Sequence, residues 1–364
     1  MSLSQYFYVA LAFVVSVLMT AVTMPWLLRF CKKRGLFDMP NARKIHHNKI
    51  PRLGGVIFAP ALIVSVGVVV IVMMLRGQTL FQLHLSTYLL FSGLFMIFVI
   101  GLIDDVLGLA AKIKFVVQLV AALFMPLCNL YINNLYGFCG IGEIPPYIGY
   151  PLTIFISLLI VNAINLIDGI DGLAGGLGLL TVSIFSGLYL NLGVIIYPIV
   201  TFAMLGTLLV FLYYNLCGKV EKGTKTFMGD TGSLILGYVI AYLCIKYAMS
   251  SSSVLPARLC PILVSFTLVI VPVFDLIRVA IARLWRGTGM FCADKTHIHH
   301  LCLAAGMSMH TALAFILCLQ AGFDVANYVL FVWGGVCSTW LVFLDVAAYL
   351  CIIAVIKLVG KKKQ

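Results

Sequence analysis

The chain has 364 residues, 63% of them hydrophobic and only 10% charged, with a mean hydropathy of +1.12. Apolar runs of about twenty residues, the length a helix needs to cross a bilayer, recur from one end to the other and exclude a soluble globular domain. The net charge of +12 does not mark a nucleic-acid binder, because the basic residues gather in the segments between alternate apolar runs, as the positive-inside rule requires of a membrane protein.

The expected fold is all-α, a polytopic integral membrane protein with about eleven transmembrane helices in a single domain over residues 1–364. In chain order the spans fall near 6 to 28, 54 to 75, 85 to 103, 115 to 132, 149 to 166, 173 to 190, 194 to 215, 231 to 249, 258 to 280, 309 to 322 and 327 to 356. Period-2 alternation, which would mark a transmembrane barrel, is absent. No Lys or Arg precedes Arg29, so the first span lacks the basic region of a cleavable signal peptide and is expected to be retained. The eleven cysteines are scattered without a CxxC, and no disulfide framework is expected.

Charge sets the orientation. Arg29, Lys32, Lys33, Arg34, Arg43, Lys44, Lys49 and Arg52 lie between the first two spans, and most other basic residues fall on that same face. That face is therefore cytoplasmic, with the N-terminus periplasmic and the C-terminus cytoplasmic. The acids follow the basic residues: of twelve carboxylates, all but Glu143, Asp324 and Asp345 lie at or near the cytoplasmic face. Most sit in short glycine-containing turns near 29–53, 104–114, 165–173, 216–231 and 281–308. Carboxylates at a membrane boundary are costly unless paired, metal-bound or wet, so these turns are expected to form one site.

The first turn, "DMPNARKIHHNKIPRLGG", carries Asp38, His46, His47, Lys49 and Arg52. Headgroup anchoring accounts for its charges, while the histidines and Gly54-Gly55 leave a phosphate contact through Lys49 and Arg52 open. "FVIGLIDDVLGLAAKIK" places Asp104 and Asp105 at a span end with Lys112 and Lys114 following. Adjacent carboxylates repel, so a metal, a cation or a shared proton is expected, unless they are merely a helix cap.

In "NAINLIDGIDGLAGG", Asn162, Asn165, Asp168 and Asp171 recur every third residue and share a helix surface while the helix lasts. A Gly-Asp turn between two spans explains the glycines but not the asparagines. "KTFMGDTGSLILG" offers Asp230 between two glycines; it caps a helix or turns the backbone around a metal-bound phosphate. Oxygen donors without thiolates suit Mg²⁺, with Mn²⁺ as a substitute. "CADKTHIHHL" holds His297, His299 and His300, without the spacing of a tetrahedral zinc site, and suits contact with a polyanion.

Taken in order, "GLIDDVLGL", "NAINLIDGIDGLAGG", "FMGDTGS" and "HIHHL" resemble the motifs of the polyprenyl-phosphate N-acetylhexosamine-1-phosphate transferases, over roughly residues 38–301. The "HIHH" run is similar to the bacterial branch that starts O-antigen, enterobacterial common antigen and teichoic acid linkage units; the branch acting on UDP-MurNAc-pentapeptide comes second. The resemblance implies transfer of GlcNAc-1-phosphate from UDP-GlcNAc to undecaprenyl phosphate, with release of UMP, in the bacterial inner membrane. It also implies Mg²⁺ as cofactor and membrane lipid as surroundings, admits a homodimer, and gives no place to nucleic acid.

Residue by residue, the resemblance implies that Asp230 and Asn165 hold the metal, and that Asp105, with Asp104, positions or deprotonates the lipid phosphate. It further implies that Lys114 (or Lys112) contacts phosphate, that Phe227 stacks on uracil and Asp171 hydrogen-bonds it, and that His297, His299 and His300 contact the sugar diphosphate. Asp168 is expected to be catalytic or structural. A secondary transporter is the rival class; it would carry its acids at the midplane and show an inverted repeat. Asp345 and the segment 133–150, expected as a periplasmic loop or re-entrant piece, fall outside the pattern.

Overall fold

The structure, a computed structural model, describes residues 3–38, 50–78, 85–250, 258, 260–287, 289 and 296–361. Long apolar segments become helices because lipid offers no partner for backbone N–H and C=O groups, which must then be satisfied within the segment.

In chain order the elements begin with α1 (Leu3–Arg34), β1 (Phe37–Asp38) and β2 (Ile50–Pro51). A 3-10 turn, Gly54–Ile57, then leads into α2 (Phe58–Leu75), followed by α3 (Leu85–Leu107), α4 (Ala111–Leu127), β3 (Asn134–Phe138) and β4 (Ile141–Glu143). Next come α5 (Pro146–Ile167), α6 (Leu173–Leu192), α7 (Ile196–Leu212) with a π turn at Tyr213–Cys217, and α8 (Gly229–Ala248). The chain closes with α9 (Pro261–Thr267), α10 (Ile270–Trp285), α11 (Ile298–Ala304), α12 (Met309–Val332) and α13 (Ser338–Lys361).

The molecule is a polytopic helical membrane protein. Among the described residues nine helices are long and apolar enough to cross a bilayer, and ten if α9 and α10, bent by 70° at their junction, count as one crossing. α4, at 17 residues, also matches an expected span but is shorter than any of these nine. α8 stands at the centre against α3, α5, α6 and α9. Its apolar stretch is 89% buried, against 22% for α12 and α13. Residues at the N-terminus of α8 are therefore held by packing on several sides.

The fold is all-α, as the sequence implies, with two short antiparallel pairs between its helices, β1 with β2 and β3 with β4. The second pair occupies the segment expected as a loop or re-entrant piece. It is pinned beside the end of α8 by Asn133, whose Nδ2 donates to the Ser250 carbonyl (2.7 Å) and whose Oδ1 accepts from the Ser250 N–H (2.6 Å).

The break between the last two helices falls after Val332, not between 322 and 327. Asp324 does not end α12, because Gln320 one turn earlier donates to its carboxylate (3.0 Å). Asp345, which had no role, accepts from Asn327 Nδ2 on α12 (2.8 Å).

Candidate active site

The site grows from the first turn of α8. Gly54 and Gly55 donate their N–H groups to the carbonyls of Phe227 (3.0 Å) and Met228 (2.8 Å), and Phe227 N–H donates to the Pro51 carbonyl (2.8 Å). The segment leading into α8 is thereby fixed to the residues before α2. Gly229 then takes φ +75°, and a side chain there would strike the Arg52 carbonyl and come within 2.7 Å of the Asp105 carboxylate.

Asp104 and Asp105 sit side by side at the end of α3 and face different partners. Asp105 reaches the start of α8: Oδ1 accepts from Asp230 N–H (2.9 Å), and Oδ2 from Thr231 N–H (2.9 Å) and Thr231 Oγ1 (2.6 Å). Asp104 accepts from Leu109 N–H (2.6 Å) and Lys114 Nζ (2.8 Å). Arg52 does not meet the pair only as a counter-charge. Its guanidinium donates to the Asp105 carbonyl through Nε (2.5 Å) and Nη2, and to the Asp104 carbonyl (3.1 Å), closing the end of α3.

Lys114 bridges two acids, lying 2.8 Å from Asp104 and 3.6 Å from Asp230. Lys112, the alternative for its role, is exposed. Asp230 Oδ1 also accepts from Asn165 Nδ2 (2.6 Å), which in turn donates to Ser233 Oγ (2.9 Å). Asn162 belongs elsewhere: its amide donates to Gln118 Oε1 on α4 (2.7 Å) and to the Leu158 carbonyl (2.8 Å), so it ties two helices together.

α5 ends at Ile167. Beyond it Asp171 pairs with Lys225 Nζ (2.7 Å), which also donates to the Asn215 carbonyl (2.5 Å). Asn215 Oδ1 accepts from Gly172 N–H (2.6 Å), and its Nδ2 donates to the Thr226 carbonyl (2.8 Å) and, at 3.5 Å, to Asp171. Asp168 makes no hydrogen bond to the described residues. Its pKa is pushed up to about 8, first by burial and then by the charges of Asp230, Asp171 and Asp105.

These groups surround a cavity of about 450 Å³. Arg52, Asp105, Asn165, Asp168, Asp171, Asn215, Phe227, Asp230, Ser233 and His300 line it. Of the three motif histidines only His300 does so. His297 is buried behind, its Nδ1–H donating to Asp275 Oδ2 (2.7 Å), and Asp275 also accepts from Ile298 N–H (3.0 Å), Arg278 (2.6 Å) and Tyr349 (3.2 Å). His299 lies between His297 and His300, with ring centroids 5.9 and 4.2 Å away, and against Gly169. Burial, and then the neighbouring His300 and His297, lower its pKa to about 3, so the imidazole is neutral.

Sequence reasoning missed Asn215 and Lys225 as structural partners of the site. Lys49, with His46, His47, Asp294 and Lys295, lies outside the described residues.

The donors suit a hard divalent cation. Asp230 has a second carboxylate oxygen, Asn165 an amide oxygen beside it, and Asp168 an acidic group with no counter-charge of its own. Among the described residues no three His, Cys, Asp or Glu side chains form a metal-binding group. Asp230 and Asn165 would supply the one or two protein ligands that Mg²⁺ commonly takes, its shell being completed by water and substrate phosphate.

The model of glycosyl transferase family 4 matches residues 87–248, the stretch that contains all but the first two residues of α3, the whole of α8 and every acid that lines the cavity. A Bacillus subtilis (strain 168) protein named "Probable undecaprenyl-phosphate N-acetylglucosaminyl 1-phosphate transferase" is 32% identical over 88% of this chain and 85% of its own length. The undecaprenyl-phosphate alpha-N-acetylglucosaminyl 1-phosphate transferase of Escherichia coli (strain K12) is 30% identical over 82% and 77%. That of Yersinia pestis is 32% identical over 78% and 74%.

Proposed function

This chain belongs to glycosyl transferase family 4 and is a phosphoglycosyltransferase of the undecaprenyl-phosphate N-acetylglucosaminyl 1-phosphate transferase type, and from that premise we propose that it transfers GlcNAc-1-phosphate from UDP-GlcNAc to undecaprenyl phosphate. A phosphate oxygen of the lipid attacks the sugar-bearing phosphorus of UDP-GlcNAc. The bond from that phosphorus to the bridging oxygen breaks, and UMP leaves with the electron pair. A lipid phosphate is already largely ionised near neutral pH, so the reaction needs charge neutralisation and exclusion of water more than a strong base.

The observation that carries this reading is the meeting of turns from distant parts of the chain around one cavity that combines carboxylates, Arg52 and an aromatic ring, with Lys114 paired to Asp230 beside it. Asp230 and Asn165 would hold Mg²⁺, or Mn²⁺ in its place; bound there, the ion supplies positive charge to the diphosphate. Lys114, already beside Asp230, adds a second positive charge. Phe227 offers a face for uracil, and Asp171, fixed by Lys225 and Asn215, an acceptor for its N–H. His300 lines the cavity and is assigned to the sugar diphosphate.

The acceptor's hydrocarbon tail has room nearby. A second cavity of about 390 Å³, wholly apolar at its surface, runs along α5 and α10 from Leu152 and Ile160 to Val273 and Ile277. Ile160 precedes Asn165 by five residues, a rise of about 7.5 Å along the helix. With α4 and the bent pair counted, the described residues make eleven crossings, the N-terminus periplasmic and the turns around the cavity facing the cytoplasm of a bacterial inner membrane.

The test is UMP release by protein purified in detergent, given UDP-GlcNAc, a polyprenyl phosphate and Mg²⁺. Release that depends on both substrates supports the proposal, and none at all overturns it. A panel of UDP-sugars, UDP-MurNAc-pentapeptide included, then fixes the donor.

A further inference from the structure

We infer that Asp105 is a positioning residue, which assembles the first turn of α8 and so fixes the backbone that carries Asp230, and that it takes no proton from the acceptor. The inference rests on the proposed reaction only for the role given to Asp230.

α8 has no capping side chain of its own: Met228, at its N-cap, contributes none. A helix start leaves several N–H groups without an intrahelical partner, and inside a membrane protein they must be satisfied. Asp105 supplies that need from α3, 125 residues earlier, accepting from the N–H groups of Asp230 and Thr231 and from the Thr231 hydroxyl. Gly229 makes the approach possible, because any side chain there would crowd this carboxylate.

An ionised carboxylate has about four acceptor positions. Three are taken by Thr231 and Asp230, and Arg52 Nε lies 3.9 Å from Oδ1. Although Asp105 lines the cavity, its side chain is only 1% exposed. A general base must turn a lone pair toward the proton it removes, whereas these lone pairs point into α8.

Thr231 provides the discriminating variant, since it is fully buried and absent from the cavity lining. Thr231→Val removes one donor to Asp105 while keeping the branched shape; Thr231→Ser keeps the hydroxyl. Hydrogen exchange of the amides at 230 and 231, read without metal or substrate, should quicken about fivefold in Thr231→Val, roughly one hydrogen bond's worth. It should quicken by about thirtyfold in Asp105→Asn, whose amide N–H₂ opposes donors, and stay at the wild-type rate in Thr231→Ser.

The Mg²⁺ concentration at half-maximal thermal shift should rise in the same order. Wild-type exchange in Thr231→Val overturns the inference. So does an Asp105→Asn protein that loses turnover while its exchange and Mg²⁺ midpoint stay unchanged. A wild-type protein inert toward UDP-GlcNAc would refute the proposed reaction instead, because the exchange arm uses no substrate.

Discussion

Asp230 and Asp345 are both carboxylates on membrane helices, and they keep opposite company. Asp230 stands at a helix start beside a lysine, an asparagine and two other acids, with part of its side chain open to a cavity. Asp345 lies within α13, buried, its Oδ2 accepting from the Asn327 amide. Near it Gln320, Asp324 and Asn327 recur on one face of α12. Gln320 Nε2 donates to the Thr267 carbonyl (2.8 Å), and its Oε1 accepts from Val271 N–H (3.1 Å). The second region thus closes the backbone left open where α9 and α10 bend.

The difference teaches that an acid in an apolar chain is not by itself a sign of chemistry. What separates the regions is the neighbourhood: acids from several turns, cations and a cavity in one, and amide donors across helix contacts in the other. Electrostatics lets the first act on a phosphorylated ligand, while hydrogen bonds let the second hold helices in place.

Removing the charge of Asp230 should break this contrast most visibly. Asp230→Asn keeps the shape and the contact with Asn165, so the protein should insert and melt as wild type does, while UMP release falls by about a thousandfold. Wild-type-like turnover would remove Asp230 from the metal. Lys114→Met comes next, leaving Asp104 and Asp230 without their shared cation. Turnover should fall about a hundredfold, and, for a pair this buried, stability by about 2–3 kcal/mol. Unfolding in detergent alongside UMP release separates the two losses. Asp171→Ala should act on binding, raising KM for the UDP-sugar about tenfold with kcat changed less; an unchanged KM would release Asp171 from uracil.

Much of the first region was legible in the sequence, because glycine-flanked acids stand out against so apolar a background. The convergence of their turns followed from topology and from the cost of unpaired charge. What stayed hidden depends on direction. Asp104 and Asp105 are adjacent, yet about 100° of helical rotation separates them, and one reaches Lys114 while the other reaches α8. Asn162 and Asn165 share a spacing but face Gln118 and Asp230. The burial of His297 and His299 needed Asp275, an acid inside α10 that no local pattern links to them. The last helix boundary was misplaced across Asp324, and only the Gln320 amide shows how that acid is accommodated within the helix.

Asp345→Asn is the mildest change and tests the contrast from the other side. Asparagine keeps the volume and retains an oxygen that can accept from Asn327 Nδ2, while removing an ionisable group that is costly to hold in lipid. Interhelical hydrogen bonds in membranes contribute about 0.6 kcal/mol on average, so stability should move by less than about 1 kcal/mol and UMP release should match wild type. Asp345→Leu leaves Asn327 without that acceptor and should lower stability further, by about 1–2 kcal/mol, again with wild-type turnover per folded molecule. Asn327→Leu should cost at least as much, since it loses the same contact from the opposite helix together with the bond from Asn327 Nδ2 to Thr267 Oγ1 (3.2 Å). If Asp345→Asn instead slows turnover at unchanged stability, the α12–α13 contact works with the cavity, and the two regions are one.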